Sequence, residues 1–453
     1  MKEGSEKTQV FSKHLTGKGT LKRLSMFDKL LTEMMGSAEE KPGAIEDITV
    51  IEVSEANFAG IISAALLGEF GAEVIKIETL EGDPARKITP YGKNVDGVGL
   101  PFLMESRNKY NITMDLNSPE GQEDFRKLIN KADVLIDAVK PGSMDALGIG
   151  YRQLRQLNPG LIYVAISPYG HFTSKAEDLH NVPDTDLTAQ AGAGYPSLTG
   201  DPAAEEPYNY PIKAGIWAAW YMSAVLATTG TLTALIHKRK TGEGQMVDIA
   251  TNDAISAWQG FQLVWGFTME QPRVRVGNFD WCIFPYGYYK TKDDRYVTVA
   301  AAQDADFRGV LKILGRWDLE KDWRFLFDRI TDDVENLKQL ENEIKKEVAK
   351  YTSKELASKS LAYSAKAARD RIRSKGFPIM IELKTPPEVM KEKHWQIRKS
   401  FQEMDHPVCG KFTIPASVPK MSESPPRVKW IRCGIGEDNE YIYGKYGLGK
   451  GKK

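Results

Sequence analysis

The sequence predicts an α/β protein with a doubly wound large domain and a smaller α+β domain. Three observations carry this. β-branched runs alternate with helix-patterned segments from residue 48 to 167, the signature of parallel βαβ units. Helix punctuation stands between them, as in Ser118-Pro119, a cap followed by Pro in the first turn. A hairpin and a charged helical stretch then interrupt the alternation.

Taken in order, ITVIEVS (48–54) reads as a strand, FAGIISAALLGEFGA (58–72) as a helix closed by Gly71, and EVIKIE (73–78) as the next strand. Strand 112–116, helix 119–131 and strand 133–137 repeat the unit, and 151–167 adds another helix and strand. A long helical stretch covers 212–237. PYGYYKTKDDRYVTVAAA (285–302) reads as a hairpin turning near Lys292–Asp294, and 303–380 as charged helices with a solvated face. The expected organisation is an extension at 1–46, a large domain at 47–274, a small domain at 275–395 and a return to the large one at 396–453. Within the extension, 21–36 has apolar residues at helical spacing.

The chain has 453 residues, with 61 Lys plus Arg against 61 Asp plus Glu. This zero balance argues against a dedicated nucleic-acid binder, and it slightly favours an assembled state because colloidal repulsion is small. Cys282, Cys409 and Cys433 are too few and scattered for a disulfide scaffold or structural zinc, so no metal is expected. The charged start carries no signal-peptide pattern and no stretch is apolar enough for a confident membrane span, so a cytoplasmic protein is expected.

Several motifs in one order and spacing are more specific. They are LLGEFGAEVIKIE (66–78), Gly82-Asp83-Pro84-Ala85-Arg86, Arg107-Asn108-Lys109, KADVLIDAVKPGSMDALGIGY (131–151), LNPGLIYVAISPYG (157–170) and KRKTGEGQMVDIA (238–250). Over 47–453 the chain resembles the family III CoA-transferases. The resemblance implies a Rossmann-like large domain, a small domain, and two chains interlocked as a dimer. It also implies transfer of CoA between acids, with coenzyme A or acyl-CoA as substrate and no permanently bound cofactor. A carboxylate of the enzyme attacks the donor thioester and passes through anhydride and enzyme-thioester states.

An ungapped count back from the Gly-x-Gly-Gln turn at 242–245 puts that carboxylate's position at Trp220, whose indole has no oxygen to attack with. No Asp or Glu occurs from Pro207 to Gly242, so the fallback carboxylates are Asp186, Asp201 and Glu206, with Glu205 beside the last. Positions often basic in the family hold Thr79, Asn117 and Ala146, which leaves Asn57, Lys76, Arg86, Arg107, Lys109 and Lys140 as the candidate CoA contacts. Asn57 stands where a donor to the substrate carbonyl is expected. His171 and His180 lack a nucleophile at any recognisable spacing, and His406 reads as structural.

Three functions follow. The leading one is a non-nucleophilic subunit of a heteromeric CoA-transferase, with a paralogous Asp-bearing partner carrying the acyl group. Its pattern is similar to the paired subunits that move CoA from succinyl-CoA to (R)-benzylsuccinate in anaerobic toluene breakdown. The second is an independent homodimer using a displaced carboxylate. The third is a binding or assembly protein of the same fold. The aromatic stretch FDWCIFPYGYY (279–289) fits either an apolar acceptor pocket or a domain core.

Overall fold

A computed structural model of the chain describes residues 29–449, apart from 31, 34–37, 173–184, 271–272, 279, 281, 323, 325–328, 330–332, 370–375 and 407–409. Most of the helix expected at 21–36, together with His180 and Cys409, lies outside the described residues. The chain divides into two compact units.

The first unit comprises Leu31–Pro196, Lys213–Pro272 and Lys399–Lys453. Its centre is a parallel six-stranded sheet of β1 (Thr49–Ser54), β2 (Glu73–Glu78), β3 (Lys109–Thr113), β4 (Val134–Ala138), β5 (Ile162–Ser167) and β6 (Met246–Ala250). In space the strands run 3-2-1-4-5-6, the doubly wound order in which the winding reverses between the first and fourth strands. Helices α1 (Phe58–Glu69), α2 (Pro119–Ile129) and α3 (Tyr151–Leu157) make three of the crossovers.

Burial on both faces explains why β1, β4 and β5 read as nearly continuous apolar runs. One core lies between the sheet, α1 and the long helix α5 (Ala218–Thr241). The other lies under α2 and α3 on the opposite face. Gly60 allows α1 to sit close to the sheet, because a Cβ there would lie 2.4 Å from that of Ala138. Helix α5 has the length and apolarity to cross a membrane, but half of that apolar window is buried within the chain. Its Thr228 meets Ser63 of α1 at 3.3 Å; it is a core helix.

Two expected boundaries move. The strand expected at 112–116 occupies 109–113, because Asp115 already turns the chain, its side chain accepting from the Asn117 N–H at 3.0 Å. Helix α5 starts at Ala218 rather than 212, with Trp217 as its N-cap.

The second unit comprises Ser197–Ile212 and Arg273–Arg398. Strands β7 (Tyr286–Lys290), β8 (Tyr296–Ala300) and β9 (Ile379–Glu382) form an antiparallel sheet in the order 9-8-7. Helices α8 (Asp304–Leu314), α9 (Val334–Val348) and α10 (Ser353–Arg369) contribute to its core with Phe284 and Tyr289. The described part of the 279–289 stretch is therefore split. Phe284 and Tyr289 are core, whereas Tyr286 and Tyr288 are exposed.

Candidate active site

Three helix N-termini of the first unit converge. At α1, the Asn57 side chain caps the helix by accepting from the N–H groups of Ala59 and Gly60, at 3.0 and 3.4 Å. Its neighbour Phe58 packs against Trp217 and Trp220, with ring centroids 4.6 and 5.3 Å away. Both indoles belong to the start of α5. The third end is that of α4 (Asp186–Gly192), capped by Thr185, with Asp186 as its first residue.

Asp186 ties α4 to α5. It is 5% exposed. Its Oδ1 accepts from the backbone N–H groups of Ala219 and Trp220 at 2.8 and 3.3 Å. The side chain thus caps a helix whose own N-cap residue offers no acceptor. Its Oδ2 accepts from Gln190 Nε2 at 2.6 Å, and Gln190 Oε1 accepts in turn from the Ala214 N–H at 2.9 Å. A carboxylate has about four lone-pair positions; these bonds use three, and one remains on Oδ2.

The position reached by the count, Trp220, lies on α5, one hydrogen bond from the fallback carboxylate Asp186 on α4. Trp220 is a buried core aromatic, and its indole N–H has no partner among the described residues. What it brings to the site is its backbone N–H, given to Asp186. Asp201 and Glu206 are exposed and belong to the second unit, as does Glu205.

Four of the candidate CoA cations are corrected by their surroundings. Lys76 binds Glu52 Oε1 at 2.9 Å and Asp83 Oδ2 at 2.8 Å, while Lys109 binds Glu52 Oε2 at 2.7 Å. Arg86 is paired with Glu78 at 2.6 Å and donates to the Cys433 carbonyl. Arg107 is paired with Glu69 and Glu105. All four are buried; they compensate internal carboxylates and have no free face for a phosphate. Among the described residues, Lys140 alone of the expected cations is exposed and without an ion pair.

The network has a use for the site. Ala56 adopts a left-handed backbone with φ of 51°, which is strained for a residue with a Cβ. Asp83 Oδ1 holds that turn by accepting from the N–H of Ala56 at 2.9 Å, and it also accepts from Ala85 at 2.8 Å. The next residue is Asn57. Burial works against the Asp83 carboxylate, but the Lys76 charge and hydrogen bond outweigh it and hold its pKa below the usual value.

The two lysines differ. Lys76 is held charged by three carboxylates, Asp83, Glu52 and Glu78, against burial. Lys109 has chiefly Glu52, and burial with repulsion from Lys76 pushes its pKa down from 10.5 to about 8. Below pH 8 both folded and unfolded chains carry this proton and the penalty is fully present. Between about pH 8 and 10.5 the folded chain sheds it first, so the unfolded state binds more protons and stability rises with pH. The difference in unfolding free energy between wild type and Lys109→Met is expected to grow by up to about 3 kcal/mol over that window. Urea unfolding at pH 7.5 and 10 measures it, and a flat difference contradicts the assignment.

A crevice of about 490 Å³ opens beside the Asn57 turn, outside the carboxyl ends of β1 to β4. It includes the point where the strand order reverses, the usual ligand position in this architecture. Val53, Ile77, Met114 and Met144 give it apolar walls, and Thr79 and Asn117 are among its lining residues.

Elsewhere, His171 is paired with Asp248 at 3.3 Å, and His406 lies 3.7 Å from Cys433 Sγ. Among the described residues no His, Cys, Asp or Glu group is arranged to hold a metal. Sequence reasoning missed Gln190. The signal was available: Thr185-Asp186 followed by Gln190 places a cap, a carboxylate and, one turn on, an amide on the same face of one helix.

The doubly wound sheet, with a crevice where its strand order reverses, is a frame that binds ligands at that point. Residues 45–439 match the model of CoA-transferase family III, and the chain belongs to that family. It moves CoA between an acyl-CoA and a carboxylic acid. The chain is 28% identical to a succinyl-CoA–D-citramalate CoA-transferase of Chloroflexus aurantiacus, over 90% of this chain and 95% of that one. It is 30% identical to the beta subunit of a succinyl-CoA–L-malate CoA-transferase from the same species, over 84% and 88%. Its fold matches a CAIB/BAIF family protein from Brucella suis with a TM-score of 0.71 and 26% identity, covering 88% of this chain and 98% of that one.

Proposed function

We propose that this chain supplies the acyl-accepting carboxylate of a succinyl-CoA-dependent CoA-transferase, and that the carboxylate is Asp186. The observation that carries this is the polar grip on Asp186. Two N–H groups fix Oδ1, and Gln190 orients Oδ2. In the proposed reaction Oδ2 attacks the thioester carbonyl, the C–S bond breaks, and CoA thiolate leaves. The thiolate then attacks Asp186 Cγ, releasing the donor acid and forming an enzyme thioester. The acceptor carboxylate attacks that thioester, and the returning thiolate takes the acceptor acyl group. At each attack on Cγ, negative charge develops on Oδ1, where the N–H groups of Ala219 and Trp220 already point. Asn57 would donate to the oxygen of the substrate carbonyl.

The proposed donor is succinyl-CoA, as in the names of the relatives. The proposed acceptor is a carboxylic acid with an apolar substituent, such as (R)-benzylsuccinate; the half-buried Trp217 at the start of α5 supports it, whereas Phe58 and Trp220 are core. Competition between (R)-benzylsuccinate and L-malate tests this, with a kcat/KM at least tenfold higher for the aryl acid expected.

Assembly as an interlocked dimer in the cytoplasm belongs to the same proposal. What supports assembly is α7 (Phe261–Met269), an apolar helix with no buried residue, on which Val264 and Phe267 are 62% and 88% exposed. The second reading, a non-nucleophilic subunit beside an Asp-bearing paralogue, is favoured by one observation. Among the described residues no Lys or Arg lines the crevice. Assay of the purified chain alone and with its encoded neighbour separates the readings. Turnover that depends on Asp186 supports the first, and turnover that survives its loss in the presence of the neighbour supports the second.

A further inference from the structure

The chemistry of the crevice makes a statement about the substrate. Among the described residues five carboxylates line it, Glu55, Glu78, Glu81, Asp83 and Asp115, and no Lys or Arg does. Glu78 and Asp83 are neutralised from behind by Arg86 and Lys76. Glu55, Glu81 and Asp115 have no ion pair among the described residues. Thr79 and Asn117 stand on the walls, and Ala146 lies between the lining residues Met144 and Leu147. All three are exposed, so a cation at any of them would face solvent, available to an anion. Lys140, next to the lining residue Val139, is the nearest exposed cation in sequence. A phosphate monoester is a compact dianion that a cationic side chain recognises most strongly, and carboxylates on the same wall repel it.

We propose that this crevice does not read the ribose 3′-phosphate of coenzyme A, so that CoA and 3′-dephospho-CoA thioesters are equivalent substrates. This rests on the reading that the chain binds the acyl-CoA it transfers. The crevice grips the nucleotide through its apolar walls, and the 3′-phosphate is left in solvent, where salt screens what repulsion remains.

The test is equilibrium binding of CoA and of 3′-dephospho-CoA to the full chain, with its encoded neighbour if the two purify together, followed by kcat/KM for the two succinyl thioesters. The expected preference for CoA is less than fivefold in both measurements. A preference of fivefold or more, or no binding of either compound, overturns the proposal. Asn117→Lys and Ala146→Arg add the missing charge at exposed positions. They are expected to tighten CoA at least fivefold and 3′-dephospho-CoA less than twofold. Equal tightening of both compounds also overturns it. Because the binding arm needs no turnover, it stays readable in an Asp186→Asn background, where failure of the proposed chemistry shows only as activity.

Discussion

Asp186→Asn is expected to lower CoA-transferase turnover by at least about 10³-fold, the scale of losing a covalent nucleophile, while the protein remains folded. The amide keeps an oxygen where Oδ1 accepts from Ala219 and Trp220, so the cap of α5 survives. It loses the anionic oxygen that forms the anhydride. Asp186→Ala removes the cap as well, leaves two N–H groups without their acceptor, and is expected to cost about 1–2 kcal/mol of stability in addition. Comparing the two by succinyl-CoA turnover and urea unfolding separates chemistry from folding. An Asn variant with more than a tenth of wild-type activity removes Asp186 from the mechanism.

The second large effect concerns stability. Lys76→Met is expected to destabilise the chain by about 3–5 kcal/mol, because it strands Glu52 and Asp83 without their shared cation in the interior. Lys109 continues to serve Glu52, so Asp83 bears most of the loss, and with it the Ala56 turn that precedes Asn57. Lys76→Met combined with Asp83→Asn removes one charge of each sign and is expected to recover part of the loss. Urea unfolding of the single and double variants measures both, and a Lys76→Met cost below about 1 kcal/mol, the scale of a surface pair, would show that the network is not buried in solution.

The parallel sheet was legible because its strands are apolar on both faces. The periodicity named the first two strands and their crossover helix to within a few residues. It failed at β3, where Lys109 looks like a surface residue and is instead a buried partner of Glu52. The same blindness produced the error over Arg86, Arg107 and Lys76. In sequence a cation is only a cation, and whether it faces a substrate phosphate or an internal carboxylate depends on strand register, as when Glu52 is placed beside Lys76. Thr79 and Asn117, picked out for the charge they lack, do converge on one crevice. Asp186, the nucleophile proposed above, was a fallback in the sequence and not preferred, because counting along the chain assumes a fixed distance from the Gly242 turn. Folding instead brings residue 186 against the N–H groups of 219 and 220.

The most direct measurement is to trap the acyl group. The protein, with any partner chain it purifies with, is incubated with succinyl-CoA and quenched with hydroxylamine, and the hydroxamate is located by peptide mass spectrometry. The proposed chemistry places it on Asp186, with none after Asp186→Asn. A hydroxamate on Asp201, on Glu206 or on a carboxylate of a partner chain, with Asp186 unmodified, would contradict it.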